Sequence, residues 1–216
     1  MIRPKVNNPE QEKMLEDGKM LPLMEQFYTI QGEGFNTGEA AWFIRVGGCD
    51  VGCRWCDVKE SWNPDLHPLT NTDEIVKNAA EQPSKSVVVT GGEPLIYNMD
   101  YLCNQLKSHG IRTYLETSGA YPLTGQWDWI CLSPKKNMAP VGDITRRADE
   151  LKVIIFNDSD IAWAEKFASR VHDGCRLYLQ PEWSRAKYMT PIIIDYVMAN
   201  PRWKISIQSH KFMHIP

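Results

Sequence analysis

Three cysteines lie within eight residues, in the segment Cys49-Asp-Val-Gly-Cys53-Arg-Trp-Cys56. Thiolates are soft ligands that select iron–sulfur clusters, zinc or Cu(I). A structural zinc site needs four ligands, but the next histidine is His67 and the sequence has no second CxxC. Three thiolates on one loop can instead bind three irons of a [4Fe–4S] cluster and leave the fourth iron open. The spacing therefore predicts a cluster or a zinc ion and favours the cluster.

The other cysteines, Cys103, Cys131 and Cys175, are scattered among apolar neighbours. Free cysteine commonly behaves as a small buried hydrophobic residue. A disulfide-stapled secreted domain would be shorter and its cysteines more evenly spaced. We therefore expect these three side chains in the core.

Composition limits the class of protein. The chain has 216 residues, of which 43% are hydrophobic and 24% charged, and its net charge is −3. These values exclude a disordered chain and predict no nucleic-acid partner, because such binders are normally basic. No apolar run approaches the roughly 20 residues that span a bilayer, and the start lacks the apolar centre of a secretory signal. We expect a cytoplasmic protein with no membrane partner.

Strand and helix signals alternate along the chain, which predicts an α/β fold with a mostly parallel sheet. The length is short of a full eight-fold barrel, so a partial (β/α) barrel or an open sheet remains. Predicted strands are 41–46, 86–90, 112–116, 129–132, 151–156, 176–179 and 203–208, and predicted helices begin near 72, 99, 158 and 192. The segment from Glu116 to Trp129 is too short and turn-rich for a helix.

Small or polar residues follow nearly every predicted strand. Ligands of α/β folds bind at the carboxyl ends of strands, so these clusters predict one shared site, although each is also a plausible turn. They are Gly47-Gly48-Cys49, Thr90-Gly91-Gly92-Glu93, Glu116-Thr117-Ser118-Gly119, Ser133-Pro134-Lys135, Gln180-Pro181 and Gln208-Ser209-His210.

The cysteine loop and Gly91-Gly92-Glu93-Pro94 together resemble the radical S-adenosylmethionine (SAM) enzymes. The match lies in the C-x3-C-x2-C spacing after the first strand of the βα series, in Trp55 before the last cysteine, and in the GGEP motif that contacts the SAM amino group. The resemblance implies a partial (β/α) barrel, a [4Fe–4S] cluster on the three cysteines and SAM on the free iron. A radical made from SAM would then abstract a hydrogen from the substrate.

Further motifs resemble one family, the 7-carboxy-7-deazaguanine synthases. They are Gln31-Gly32-Glu33-Gly34, Phe43-Ile44-Arg45, Trp55-Cys56-Asp57, Glu116-Thr117-Ser118-Gly119, Leu132-Ser133-Pro134-Lys135, Leu179-Gln180-Pro181 and Gln208-Ser209-His210-Lys211. The likeness divides the chain into an N-terminal extension, residues 1–24, and a radical SAM core, residues 25–216, whose C-terminal tail caps the substrate. The extension carries either a mobile segment or a surface helix from Glu10 to Asp17.

That family resemblance implies a radical lyase reaction. The substrate would be 6-carboxy-5,6,7,8-tetrahydropterin, and the product 7-carboxy-7-deazaguanine, a queuosine and deazapurine precursor, with loss of ammonia. It also implies an external electron donor and a homodimer. Two alternatives stay open: another radical SAM enzyme, such as a glycyl-radical-activating enzyme, and a zinc-binding interaction module.

The resemblance also assigns residue roles. SAM would be bound by Trp55, Asp57, Gly91, Gly92, Glu93, Ser118, Ser133, Pro134, Lys135 and Gln180. Substrate would be bound by Ile30, Gln31, Gly32, Glu33, Arg45, Thr90, His210 and the chain-end carboxylate of Pro216. For Arg45 the guanidinium fork suits the substrate carboxylate, and the alternative is a strand residue paired with a surface acid.

One position departs from the family. Members often carry Thr or Ser after the Cys-Asp pair, and that hydroxyl is associated with a Mg²⁺ ion at the substrate. Here the position is Val58, which has no side-chain oxygen. Asp57 and substrate would then have to hold the ion, so the sequence leaves open whether Mg²⁺, another cation or no metal is used.

Overall fold

The computed structural model describes residues 2–216, and these contain nine strands and seven α-helices. The strands are β1 Met20–Ile30, β2 Ala40–Val46, β3 Leu69–Asn71, β4 Ser86–Gly91, β5 Arg112–Thr117, β6 Trp129–Leu132, β7 Glu150–Ile155, β8 Arg176–Pro181 and β9 Trp203–Ile205. The helices are α1 Pro9–Glu16, α2 Thr72–Ala80, α3 Asp100–Ser108, α4 Ile144–Arg147, α5 Ser159–Ala168, α6 Ala186–Ala199 and α7 Ser209–Met213.

All nine strands belong to one sheet, in the order β3-β1-β2-β4-β5-β6-β7-β8-β9. Every pair from β2 to β9 is parallel, whereas β1 pairs antiparallel with both β2 and β3. Strands β3 and β9 are the two edges, so the sheet is an open, partial barrel rather than a closed one. The predicted α/β fold with a mostly parallel sheet is confirmed.

The two faces of the sheet have different surroundings because side chains alternate along a strand. Ile44, Val46, Val87 and Val89 pack into the large core that the helices cover. On the other face, Ala41, Phe43, Val88 and Tyr114 form a small apolar cluster of their own. This inner face becomes polar toward the carboxyl ends of the strands. The residues there that lie on the same face as the cluster are Arg45, Thr90, Glu116, Lys152 and Gln180.

The sequence-predicted elements match the structure closely in the middle of the chain. Asn71 caps α2 by accepting a hydrogen bond from the Asp73 amide, as expected of an N-cap residue. The chain between β5 and β6 holds no helix in the described structure, as predicted. Strand β9 is shorter than predicted, because only its first residues pair with β8 and the chain then turns towards β1.

The N-terminal part forms more regular structure than its composition suggests. Residues 9–16 form the surface helix that was one of two expectations, and Leu15 is buried beneath it. Leu21 of β1 is fully buried, so the first part of this strand belongs to the core. Met1, the first residue of the predicted extension, lies outside the described residues. No helix within residues 2–216 is long and apolar enough to cross a membrane.

Candidate active site

The carboxyl ends of six parallel strands surround one cavity of about 230 Å³. Strands β2, β4, β5, β6, β7 and β8 each contribute a residue from their end or from the loop that follows. Those residues include Cys49, Thr90, Gly91, Glu116, Thr117, Ser133, Ile154, Gln180 and Pro181. The turns that follow the strands therefore form a single site, as the topology predicts.

The three cysteines of the loop all line this cavity and are half-buried. Backbone hydrogen bonds hold the loop on its far side, from the Gly48 amide to the Ser61 carbonyl at 2.6 Å and from the Cys49 amide to the Trp62 carbonyl at 3.1 Å. Gly48 has φ +102°, a conformation that favours glycine. The fold thus presents three thiols to one space from a short, fixed loop.

This donor set fits a [4Fe–4S] cluster. Burial raises the pKa of Cys49 to about 11 and also raises the pKa of Cys53, so both are thiols in the free protein. Ligation by iron would displace their protons, because the thiolate is the ligand. Within residues 2–216, no three Cys, His, Asp or Glu side chains come close enough to hold one metal ion together.

The GGEP turn is joined to the cysteine loop through the backbone. The Gly92 amide donates to the Val46 carbonyl at 2.8 Å, and the Glu93 amide donates to the Gly48 carbonyl at 2.9 Å. A Cβ on Gly92 would lie 2.2 Å from the Gly48 oxygen, so only glycine fits this approach. The two motifs that lie far apart in sequence therefore form one rigid rim.

Glu93 is buried and its carboxylate joins two neighbouring turns. It accepts hydrogen bonds from the Thr117 hydroxyl at 2.5 Å, from the Ser118 amide at 2.8 Å, and from the Ser118 hydroxyl. It also accepts from the Leu95 amide at 3.1 Å. Glu93 and Ser118, both predicted to bind SAM, line the cavity, and their side chains also fasten the ends of β4 and β5 together.

Most of the residues predicted to bind SAM line the first cavity. They are Trp55, Asp57, Gly91, Gly92, Glu93, Ser118, Ser133, Lys135 and Gln180. Pro134 lies outside it and lines an adjoining cavity of about 770 Å³, to which Trp55, Asp57 and Lys135 also contribute. Lys135 donates to the Ser133 hydroxyl at 2.7 Å, and burial lowers the pKa of its ammonium group.

A cavity of about 370 Å³, called the second cavity from here on, is lined by every residue predicted to bind substrate. These residues are Ile30, Gln31, Gly32, Glu33, Arg45, Thr90, His210 and Pro216. It adjoins the first cavity, and the two share Glu33, Asp57, Thr90, Gly91, Glu116 and Gln208. In the register of β2 and β4, Arg45 lies beside Thr90. A ligand here would lie next to the cavity that the cysteines line.

Arg45 forms an ion pair with an acidic residue of the neighbouring strand and also lines a cavity. Its Nη1 donates to Glu25 Oε1 at 2.7 Å, and its guanidinium lies 4.9 Å from the centre of the Phe27 ring. The side chain is 26% exposed and lines the second cavity. Because a guanidinium carries five N–H donors, the bond to Glu25 leaves others for an anion in the cavity.

Lys152 stands at the centre of the inner face, and the sequence interpretation missed it. Its buried ammonium group donates to Glu33 at 2.7 Å and to Glu116 at 3.0 Å. Burial alone would lower the pKa of Lys152, but Cys131 and the neighbouring carboxylates outweigh burial and hold that pKa well above its ordinary value. Burial alone would raise the pKa of Glu33, but Lys152 lowers it to about 2. Glu33 and Lys152 are therefore both charged at neutral pH.

The segment after β9 folds back over the end of β1. The Ser209 amide and hydroxyl both donate to the Gly32 carbonyl, at 2.9 and 3.0 Å. A Cβ on Gly32 would lie 2.3 Å from Nδ1 of His210, so glycine lets the imidazole lie against the backbone. Gln208 and Lys211, which sequence reasoning did not assign, also reach into the cavity from this segment.

Comparisons with known proteins agree with this site. Residues 43–131 match the model of the Radical SAM superfamily. A relative named 7-carboxy-7-deazaguanine synthase, from Flavobacterium psychrophilum, is 59% identical over 202 residues, which is 94% of this chain and 96% of the relative. A protein of the same name from Synechocystis is 47% identical over 90% of this chain and 93% of its own length.

A solved structure shows the same fold. The crystal structure of QueE from Escherichia coli superposes with a TM-score of 0.80 at 29% identity, covering 93% of this chain and 99% of that one. The open barrel, the cysteine loop and the family match define a radical SAM enzyme. More narrowly, the chain belongs to the 7-carboxy-7-deazaguanine synthase family. This membership does not support the two alternatives, a glycyl-radical-activating enzyme and a zinc-binding interaction module.

Proposed function

We propose that this chain converts 6-carboxy-5,6,7,8-tetrahydropterin to 7-carboxy-7-deazaguanine, with ring contraction and loss of ammonia. The observation that carries the proposal is the pair of adjoining cavities, one lined by the three cysteines and the other by Arg45, Glu33 and Glu116. The first suits a cluster with SAM, and the second suits a polar, anionic bicyclic compound. Family membership points to the same reaction.

Cys49, Cys53 and Cys56 would hold the [4Fe–4S] cluster, and the turn at Gly91–Glu93 would meet SAM beside it. When bound, these cofactors supply the radical that removes a hydrogen from substrate. The protein positions both partners and limits access of water, because side reactions compete with any radical step. The rigid hydrogen bonds between the GGEP turn and the cysteine loop serve this positioning.

In the second cavity Arg45 would bind the carboxylate of the substrate, since its fork matches that anion. Gln31 lies beside Glu116, with its Nε2 3.4 Å from Glu116 Oε1. The side-chain oxygens of Glu33 and Glu116 line this cavity as hydrogen-bond acceptors, so they suit the N–H groups along a pterin edge. Lys152 keeps Glu33 ionised and fixes both carboxylates.

The remaining parts of the proposal concern conditions and partners. The enzyme draws electrons from an external donor, acts in the cytoplasm and works as a homodimer without nucleic acid or membrane. A Mg²⁺ ion at Asp57 belongs to the family pattern.

The proposal is tested by anaerobic turnover. The reconstituted protein is incubated with SAM, a chemical reductant and the carboxytetrahydropterin, and products are followed by mass spectrometry. We expect 7-carboxy-7-deazaguanine and ammonia in equal amounts. SAM cleavage without the deazaguanine would refute the substrate assignment and keep the radical SAM chemistry. A colourless protein with stoichiometric zinc would refute both.

Replacing Arg45 with alanine is expected to raise the KM for substrate roughly 10- to 100-fold, the effect of losing one hydrogen bond to a charged group. The affinity for SAM should not change, because Arg45 lies in the second cavity only. Steady-state kinetics and equilibrium binding of SAM measure the two effects. Glu25→Gln is the matched control: it breaks the same ion pair but leaves the guanidinium, so its KM should stay near that of the wild type. Equal defects in both variants would mean that Arg45 only anchors Glu25.

A further inference from the structure

Asp57 already has a cation as its partner. Its Oδ2 accepts a hydrogen bond from Lys211 Nζ at 2.8 Å and another from Gln208 Nε2 at 3.1 Å. All three residues line the 370 Å³ cavity together with Val58. The carboxylate that the family pattern would offer to Mg²⁺ is thus neutralised by a side chain of the same chain.

The residues present do not fit a Mg²⁺ site. Mg²⁺ requires near-octahedral coordination by about six oxygen atoms at roughly 2.0–2.1 Å. Val58 supplies no side-chain oxygen where a hydroxyl would be needed, and the ammonium group of Lys211 lies within hydrogen-bonding distance of Asp57, the carboxylate that the family pattern assigns to the ion. A divalent ion bound to Asp57 would face that positive charge directly, and like charges at such short range repel strongly.

The position of Lys211 is fixed by more than one contact. Its ammonium group lies 4.7 Å from the centre of the Trp183 ring, in a cation–π arrangement. The helix that carries it, α7, is tied to β1 through the bonds from Ser209 to Gly32. The Lys211 side chain is only 21% exposed. An ammonium group has three N–H donors, so one bonded to Asp57 has others to offer to a ligand in the cavity.

We propose that Lys211 is the resident cation of the substrate cavity and takes the place of a divalent metal ion in this enzyme. The inference rests on the proposed function for the identity of the substrate, but the exclusion of the metal from Asp57 is a property of the protein alone. Lys211 binds an electronegative group of the substrate, Gln208 and Asp57 orient the ammonium group, and turnover needs no Mg²⁺.

Metal binding is tested without reference to turnover. The holoenzyme with its oxidised, EPR-silent cluster is titrated with Mn²⁺ as a probe for Mg²⁺, with and without substrate. We expect no bound Mn²⁺ in the wild type or in Val58→Thr, because Lys211 still occupies Asp57. The double variant Val58→Thr/Lys211→Met should bind one Mn²⁺. Stoichiometric Mn²⁺ in the wild type, equal binding by Val58→Thr and the double variant, or none in the double variant would overturn the proposal.

Turnover supplies the second readout. The wild-type rate should be the same in EDTA and in Mg²⁺ within about twofold, a difference near 0.4 kcal/mol in the barrier. Lys211→Met should lower kcat/KM by roughly 10- to 100-fold, the loss of a hydrogen bond to a charged group, while Lys211→Arg keeps the charge and most of the activity. A wild-type rate that collapses in EDTA and returns with Mg²⁺ would refute the role of Lys211. If the wild type and the Lys211 variants all cleave SAM but none forms deazaguanine, the proposed function fails. The Mn²⁺ titration then still decides whether Lys211 excludes a divalent ion from Asp57.

Discussion

Replacing Lys152 with methionine is expected to lower the free energy of unfolding by about 3–5 kcal/mol and to abolish deazaguanine formation. The change removes one buried ammonium group and leaves Glu33 and Glu116, both largely buried, without the partner that they share. Breaking a buried ion pair in this way has a large cost, because the remaining charge loses its partner but not its burial. Denaturant unfolding of the wild type and variant measures the first effect, and anaerobic turnover measures the second.

A second variant separates stability from function. In Lys152→Met/Glu33→Gln/Glu116→Gln the whole charged group becomes neutral, and replacing a complete buried ion pair by neutral residues is often close to neutral for stability. We therefore expect the triple variant to regain most of the unfolding free energy but none of the activity. Recovered activity in the triple variant would show that the three charges serve folding alone. A single variant as stable as the wild type would show that Glu33 and Glu116 are not coupled through Lys152.

The same residue shows where sequence reasoning stops. Glu150 and Lys152 are charged residues two positions apart in β7, and such spacing places both on one face of a strand. The predicted strand, 151–156, leaves out Glu150, and no motif in the sequence assigns a role to Lys152. Its partner Glu33 comes from the turn after β1, and its partner Glu116 comes from β5. Only the folded sheet brings these three segments together.

Local motifs, by contrast, were sufficient for the parts of the site that one turn supplies. The cysteine spacing and the GGEP turn are each contiguous in sequence, and both line the first cavity as predicted. Strand β1 was missed because Pro22, Glu25 and Gln26 hide its alternation, and its neighbour β3 has only three residues. Antiparallel pairing with β2 is what makes β1 a strand. It also brings Gln31 to Glu33 over the ends of the parallel strands.

Lys211 belongs to a contiguous motif, but its contact with Asp57 depends on the fold. Its motif, Gln208-Ser209-His210-Lys211, was recognised, and the substitution at Val58 was recognised too, but nothing in the sequence relates one to the other. The contact between Lys211 and Asp57 joins residues 154 positions apart. It depends on the fold of the segment after β9 back over β1. That Val58, Asp57 and Lys211 line the same cavity becomes visible only in three dimensions.

Replacing Cys53 with alanine is expected to abolish reductive cleavage of SAM. The change removes one of the three thiols that line the first cavity, and the loop offers no further cysteine to replace it. A cluster iron left without its thiolate is unprotected, so iron and sulfide content should fall together with the visible absorption of the cluster. Iron analysis and detection of 5′-deoxyadenosine measure both effects. Iron content equal to that of the wild type, with SAM cleavage retained, would contradict the assignment of Cys53 as a ligand.

Cys175→Ala is the matched control, because it removes a thiol of the same size that lines none of the three cavities. Cys175 is buried in the core at the start of β8, so its loss should lower the free energy of unfolding by about 1 kcal/mol, as typical point mutations do. Its iron content and SAM cleavage should match the wild type. Equal loss of iron in both variants would mean that removal of any buried cysteine destabilises the fold enough to release the cluster. A difference between them ties the loss to the position of the thiol, since removing a cysteine is common to both variants.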